Sequence, residues 1–419
     1  MDILVIGGGG REHAIIKKLS ESPESGRIFC APGNGGISQA AECVDIKATD
    51  VDGVVSFVRA HGIGLVVVTP DDPLSLGMVD ALEAAGIKAF GPRKNAAEIE
   101  SSKVFAKNLM KKYNIPTAGY EVFDDPKEAL QYIKSQDQYP AVIKADGLAL
   151  GKGVIIAQDS HEAESAIHSL MEDKIFGASG SRVVIEEFLT GPEVSVLAFT
   201  DSKTLVPMVS SKDHKRIFDG DKGPNTGGMG TISPNPYYTE TIAEECMRTI
   251  FMPTLQAMNS EGRPFCGCLY FGLMLTKQGP RVIEYNSRFG DPETQVVIPR
   301  LKTDLLTIFE AVADKRLGEI EIEWDDRAAA CVVAASGGYP GSYPKGCAIT
   351  GLENAEKLDD VTIYHAGTVL KDGVFYTAGG RVLGVTALGS DLTKALEAAY
   401  RGIAQVRFEG MQYRKDIGK

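Results

Sequence analysis

The sequence predicts a multidomain protein of mixed α/β and α+β character, with an N-terminal parallel α/β sheet domain, a central unit in two parts and a C-terminal strand-rich domain. Three observations lead there. At 419 residues the chain exceeds one ordinary core and fits three or four units of ~100 to 150 residues. Up to about residue 100, short apolar runs alternate with helical patterns, the rhythm of a parallel sheet with crossover helices. Further on, strand patterns follow one another across short turns, which marks antiparallel hairpins.

Taken in order, Ile3 to Gly7 reads as a strand, followed by a helix from Arg11, a strand through Arg27 to Gly33 and a helix through Val54 to Ala60. Leu65 to Pro70 is the next strand, then a helix near Met78 to Ala85 and the run Ala89 to Pro92. A capped helix over Ser101 to Met110 is broken by Tyr113 to Thr117, where the first boundary falls. Tyr139 to Gly147, Gly151 to Asp159 and Arg182 to Gly191 read as strands around one helix, His161 to Met171. Glu193 to Asp201 pairs with Thr204 to Asp213, and Gly267 to Thr276 pairs with Arg281 to Asn286 across a turn at Lys277 to Pro280. Between these pairs lies a Gly-rich polar segment, Asp213 to Gly230, of a length that is usually functional or disordered. From Arg327 onward the patterns are mostly strands.

Composition narrows the function. With 43% hydrophobic and 24% charged residues the chain reads as soluble, and no apolar run approaches the ~18 to 20 residues that cross a bilayer. Met1 to Gly10 has no basic start and no cleavage pattern, so a cytoplasmic protein is expected. The cysteines at 30, 43, 246, 266, 268, 331 and 347 are scattered and mostly in apolar runs, which favours reduced thiols over disulfides. Cys266 and Cys268 lack zinc-knuckle spacing. A net charge of -12 disfavours a nucleic-acid groove, so anionic small ligands need local arrays.

Four arrays carry chemistry. The loop Gly7 to Arg11 lies between a strand and a helix, where amides and the helix dipole favour phosphate. A dinucleotide fingerprint fails there: its third glycine position holds Glu12 or His13, and the second strand has no carboxylate for a ribose. A monophosphate on Gly8, Gly9, Gly10 and Arg11 stays open beside a simple capped turn. The second array joins Lys144, Gly147, Gly151, Lys152 and Gly153; it breaks P-loop spacing, yet a glycine-rich hairpin between lysines suits covering phosphates. The third is Glu186, Glu187 and Phe188 leaving a strand, with Glu193 beyond, able to offer an adenine edge and a ribose their partners. In the segment through Gly230, Asp213 can hold an ammonium, and Lys215 or Arg216 a phosphate or carboxylate.

The most informative stretch is Val282 to Thr294. Glu284, Asn286 and Arg288 are spaced by two, which on a strand gives one face two hard oxygen ligands and a permanent cation. Alone, it equally describes a solvated edge.

In that order, lysine strand, glycine-rich hairpin, hinge and E-x-N-x-R strand resemble the ATP-grasp ligases. Over nearly the whole length the chain is similar to the phosphoribosylamine-glycine ligase family, through GGREHA, GPNTGGMG, EYNSRFGDPETQ, GGYPG, the run Tyr364 to Thr368, GGRVL and the run Tyr413 to Gly418. It departs from the family's pattern at Gly8, where a polar residue is usual, and at Thr69 to Leu74, where Asp71 replaces a glutamate. The chain stops at Lys419, so the fused domains of some relatives are expected to be absent.

The resemblance implies an N-terminal substrate domain over 1-100, an ATP-grasp main domain over 101-120 and 191-324, a small lid over 121-190 and a C-terminal domain over 325-419. It implies ATP as co-substrate, Mg2+ or Mn2+, and glycine and 5-phosphoribosylamine as small-molecule substrates, with no nucleic acid, no membrane and a monomer. Glu284 and Asn286 would take the metal, and Arg288 the migrating phosphoryl or the glycine carboxylate. Lys103, Lys144, Gly151, Lys152 and Gly153 would meet the phosphates. Glu186, Glu187, Phe188 and Glu193 would meet adenine and ribose, with Leu273 and Ile283 packing the base. Asp213 would hold the glycine ammonium, and Gly8 to Arg11 with Gly367 and Thr368 the phosphoribosyl end. Another carboxylate-amine ligase of that superfamily, or a nucleotide sensor without catalysis, are the rivals.

Overall fold

The computed structural model describes residues 1–148, 153–173 and 180–419. Its N-terminal sheet is entirely parallel, with strands in the spatial order Glu42–Cys43, Ile28–Pro32, Ile3–Gly7, Leu65–Val68 and Ala89–Phe90. Ile3 and Val5 enter one apolar cluster while Leu4 and Ile6 enter another, so both faces are covered. That explains the continuous apolar run in the first strand. Two short helices, Asp71–Leu76 and Lys94–Ser101, escape the sequence pattern.

The helix Lys103–Lys112 is capped by Ser102, whose side chain accepts from the Phe105 amide. It leads to a small antiparallel sheet ordered Tyr120–Phe123, Val183–Glu187, Ala141–Ala145 and Val154–Ala157. Alternation sends Ala141, Ile143 and Ala145 into a core with two helices where one was expected, Ser160–Ile167 and the additional Pro126–Gln136. The intervening Val142 and Lys144 take the opposite face.

A second antiparallel sheet runs Leu205–Pro207, Glu193–Asp201, Cys266–Thr276 and Gly279–Asn286. Its expected hairpin turn is Lys277 and Gln278. The C-terminal sheet is ordered Lys212–Asp213, Gly230–Ser233, Ala328–Ala335, Arg381–Gly389 and Val361–His365. Its first two strands come from the Gly-rich central segment, so that segment is bound into the C-terminal sheet at both ends. Ala395, Ala399 and Ile403 of the helix Leu392–Ile403 complete the core there. Among the described residues no helix is long and apolar enough to cross a membrane.

Candidate active site

Val282 and Tyr285 are both buried in the core beneath the central sheet although they are three positions apart. A bulge allows it: Gly272 pairs with Glu284 but Leu273 pairs with Val282, leaving Ile283 as the extra residue. Parity reverses there, so Glu284 and Asn286 face away from that core. Gly272 makes room for them, since a Cβ at that position would lie 2.9 Å from Glu284 Cγ.

The strand ends at Asn286, so Arg288 does not continue its face as alternation implied. Arg288 occupies the following turn, where Nη2 lies 3.0 Å from Glu100 Oε1. The other Glu100 oxygen accepts from the Ser287 amide at 2.7 Å and its hydroxyl at 2.8 Å. Burial opposes the Arg288 charge, but the Glu100, Asp71 and Glu293 carboxylates outweigh it and raise its pKa. Its buried Nε has no hydrogen-bond partner among the described residues. Glu100 was illegible in sequence because it sits in one of the short unforeseen helices.

Across the interface with the small sheet, Lys144 donates to the Ile283 carbonyl at 3.0 Å. Its ammonium also meets Glu186 Oε1 at 3.0 Å, while Lys107 meets Glu186 Oε2 at 2.9 Å. All three side chains are buried. Glu186 therefore spends its carboxylate on two lysines and not on an adenine edge. Lys103 donates to the Gly147 carbonyl at 2.9 Å, at the base of the expected lid. Its pKa is lowered by burial, against the pull of Glu284. Gly153 closes that hairpin by accepting from the Ala145 amide at 2.8 Å, whereas Gly151 and Lys152 lie outside the described residues. Lys107 was missed, although its spacing of four from Lys103 puts both on one helix face.

At the hinge, Glu187 turns its carboxylate to Arg281, 3.1 Å away, and Phe188 is exposed. Leu273 departs from the expectation. It is completely buried in the apolar core on the far side of the sheet. Alternation from Gly272 puts Met274 on the Glu284 face instead.

Lys215 lies 3.3 Å from Glu193 Oε2 and 3.4 Å from Glu284 Oε1. Lys215 is the main cause holding Glu284 down to about 2, with burial opposing and Lys144 and Lys103 assisting. Asp213 stands nearby, its pKa pushed well up by burial and by Glu293, against Lys215 and Arg381. Gly228 has φ +114°, and a Cβ there would lie 2.6 Å from Asp213 Oδ1 and 2.4 Å from Pro292 Cδ. Arg381, another residue the sequence did not single out, donates to the carbonyls of Gly227 at 2.6 Å and Asp291 at 2.7 Å and pairs with the Asp291 carboxylate at 3.0 Å.

The N-terminal loop is tied to its own helix. Gly9 donates its amide to Glu12 Oε2 at 2.6 Å, and Arg11 pairs with Glu12 Oε1 at 2.6 Å while donating to the Phe289 carbonyl at 3.0 Å. That Gly9 amide and that guanidinium are thus engaged by protein groups. A Cβ at Gly8 would lie 2.3 Å from the Gly33 carbonyl oxygen, and one at Gly10 2.6 Å from Gln295 Nε2. Asn34 donates to the Gly8 carbonyl at 2.9 Å and the His365 carbonyl at 2.8 Å, and Gly35 donates to the Thr368 carbonyl at 3.0 Å. His365 and Thr368 are so joined to the loop after the second strand, while Gly367 bonds to Arg381 and Ala378.

A two-sheet clasp with buried lysines facing an acid-amide strand defines an ATP-grasp protein. The structure superposes on a biotin carboxylase from Campylobacter jejuni, solved with β,γ-ATP, with a TM-score of 0.74 at 14% identity, covering 98% of this chain and 92% of that one. It superposes on phosphoribosylamine-glycine ligase from Thermotoga maritima with a TM-score of 0.84 at 33% identity, covering 99% and 100%. A phosphoribosylamine-glycine ligase from Caldanaerobacter subterraneus is 49% identical over 417 residues, 100% of this chain and 99% of that one. The N, ATP-grasp (A) and C domains of phosphoribosylglycinamide synthetase match residues 1–100, 101–294 and 329–419. The chain belongs to that family.

Proposed function

We infer that this chain ligates glycine to 5-phosphoribosylamine with ATP, passing through glycyl phosphate and giving glycinamide ribonucleotide, ADP and phosphate in de novo purine biosynthesis. The observation that carries the reading is that Lys144 of the small sheet donates to the Ile283 carbonyl, next to Glu284, where the two central sheets face each other. Within it we assign 1-100 to substrate binding, 101-120 with 191-324 and 121-190 to the main and lid parts of the ATP-grasp unit, and 325-419 to a C-terminal domain. A cytoplasmic monomer fits this work.

A carboxylate has no acceptable leaving group until a phosphoryl group is on its oxygen. The enzyme's task is therefore to position glycine and ATP and to stabilise moving charge, with no covalent enzyme nucleophile. Lys103 and Lys144 bind the nucleotide phosphates. Met274 and Ile283 line the base, the hinge backbone at Glu187 and Phe188 reads its edge, and Glu193 takes the ribose. Asp213 orients the glycine ammonium, leaving the carboxylate toward Arg288. Gly147 and Gly153, at the facing ends of the Ala141–Ala145 and Val154–Ala157 strands, lie on the phosphate side, where excluding water protects an acyl phosphate; the expected contacts of Gly151 and Lys152 lie outside the described residues. The amine of phosphoribosylamine, its phosphate end near Gly8 to Arg11, Gly367 and Thr368, then attacks the glycyl carbonyl and phosphate leaves. Because Gly9 and Arg11 already serve Glu12, and Thr368 already meets Gly35, Ala366 and His365, Gly10 is the strongest candidate on that face.

Glu284 and Asn286 would hold a divalent cation, Mg2+ or Mn2+. They fit it: one ionised carboxylate and one amide oxygen on the same face are the partial set such ions take when phosphates complete the shell. Bound there, it would neutralise phosphate charge. The test is ADP release measured with glycine plus freshly made phosphoribosylamine against panels of other acids and amines. Release that needs this pair supports the reading; release with a different acid or amine, or none with any, overturns it.

A further inference from the structure

The run Tyr413 to Gly418 at the C-terminal end forms an array that the reaction described above does not use. Arg414 has a side chain only 2% exposed, far from the usual state of an arginine. Its guanidinium grips Asp416 at both oxygens, Nε to Oδ1 at 2.8 Å and Nη2 to Oδ2 at 2.9 Å. Nη1 reaches across to the central Gly-rich segment, to Asp221 Oδ1 at 2.7 Å and the Arg216 carbonyl at 3.1 Å. Asp416 Oδ2 accepts from the Gly220 amide at 2.7 Å, and the Lys415 amide donates to Asp219 at 2.8 Å. The tail thus holds the tip of the Arg216–Phe218 and Lys222–Asn225 hairpin from both sides.

Gly418 extends the array to the other end of the segment. Its amide donates to His214 Nε2 at 3.0 Å, which leaves Nδ1 as the N–H that faces the Gly230 carbonyl at 3.2 Å. His214 is the residue after Asp213, and its own amide donates to Asp213 Oδ1 at 2.7 Å. Ile417 packs directly on Gly230, where a Cβ would lie 2.6 Å from Ile417 Cδ1. Tyr400 secures the tail to the C-terminal helix, donating to the Arg414 carbonyl at 2.9 Å and accepting from the Ile417 amide at 3.0 Å. The central segment carries Asp213 and Lys215, whose positions matter to the chemistry, yet much of its length is exposed and polar. The tail adds to the anchorage that the C-terminal sheet and Arg381 give it.

We propose that Tyr413 to Gly418 is a clasp that sets Asp213 in place, with Arg414 and His214 as positioning residues for the amino-acid end of the site. This rests on the glycine ligase reading. Arg414 touches no reacting group. Its partners, Asp416, Asp221 and the Arg216 carbonyl, lie outside the two-sheet nucleotide site, and its tail meets the site through Gly418 and His214 next to Asp213, so the expected loss is in glycine binding.

The experiment compares the parent chain with Arg414→Met and the milder Asp416→Asn. Each is assayed for the KM of glycine, for kcat and for the affinity of a non-hydrolysable ATP analogue, with melting temperature and amide exchange at Gly220, Gly228 and Gly230. Expected are a glycine KM raised roughly 10-fold to 100-fold in Arg414→Met, a smaller rise in Asp416→Asn, faster exchange at those glycines and analogue affinity within ~2-fold of the parent. Unchanged glycine KM in both folded variants overturns the clasp. So does equal loss of glycine and nucleotide binding in Asp416→Asn, which would make the tail a general structural support. A parent chain with no glycine-dependent turnover defeats the ligase reading instead, whatever the exchange rates show.

Discussion

Lys107 Nζ lies 2.9 Å from Glu186 Oε2 with both side chains 3% exposed, and Lys144 holds the other oxygen of that carboxylate at 3.0 Å. Burial brings Lys107 down to about 8, with Glu186 resisting and Lys144 adding to the fall. Removing Glu186 leaves two buried lysines without their counter-charge, which costs far more than losing a surface pair. Glu186→Gln is expected to lose about 3 kcal/mol of unfolding free energy, and Lys107→Met, which leaves the Lys144–Glu186 pair, less. Combining the two should cost less than the single changes summed. Denaturant melts of the three variants check this, and strict additivity would mean the residues are not coupled.

Glu284 carries the largest expected effect on the chemistry. Held down to about 2 by Lys215 first of all, it stays ionised through the neutral range. Its folded pKa lies below the unfolded one, so the stability it contributes is complete above the unfolded ~4.3 and is lost as pH falls toward about 2. The acid limb of activity therefore has another source. Glu284→Gln keeps the shape and removes the charge, and turnover should fall ~10²-fold or more. Near-parental, metal-dependent ADP release would refute the proposed metal role.

Much of the fold was legible because its signals are local. The parallel rhythm up to Phe90, the Cys266–Asn286 hairpin and the Ser102 cap all follow from period, turn and capping residues. What was not legible depends on long-range geometry. The strand ends at Asn286, which alternation could not show, so Arg288 was grouped with Glu284, and Leu273, placed beside the base by the resemblance, lies on the core face of its own strand. Glu100 and Arg381 act by reaching segments far away in sequence, and neither Glu100's surroundings nor the GGRVL motif around Arg381 names those partners. Glu284 and Asn286 share a face as expected, because a spacing of two along one strand fixes that locally.

The junction between the first and last domains predicts a pH effect on stability. His365 donates its amide to His13 Nδ1 at 2.8 Å, and the two rings lie 5.6 Å apart. Burial first, then Lys17, lowers both, His13 far down and His365 to about 4. Unfolded histidines bind protons below ~6.5, so the unfolded chain gains protons that the folded chain refuses. Stability is full above that pH and is lost progressively down to about 4. Melting temperature should fall as pH drops through this window, and His365→Gln should flatten the slope. An unchanged slope in a folded variant would exclude the pair as the cause.

Asp213 gives a pH effect of a different kind, on substrate binding. Burial and Glu293 raise its pKa well above the ordinary carboxylate value, while Lys215 and Arg381 pull it down without cancelling the rise. In the free enzyme the group is therefore protonated at pH values where an exposed aspartate is ionised. A neutral acid attracts an ammonium weakly, so glycine must bind to the ionised form or drive off the proton. The KM of glycine should be flat above the raised pKa and should climb as pH falls through it, while nucleotide affinity follows a separate profile. Asp213→Asn cannot titrate, so its KM should be high and independent of pH. Steady-state measurements from ~pH 5 to ~pH 8 distinguish the cases. A climb that persists in Asp213→Asn would assign the titration to another group, and Glu293, which faces Asp213 and accepts from the Tyr270 hydroxyl at 3.1 Å, would be the next to substitute.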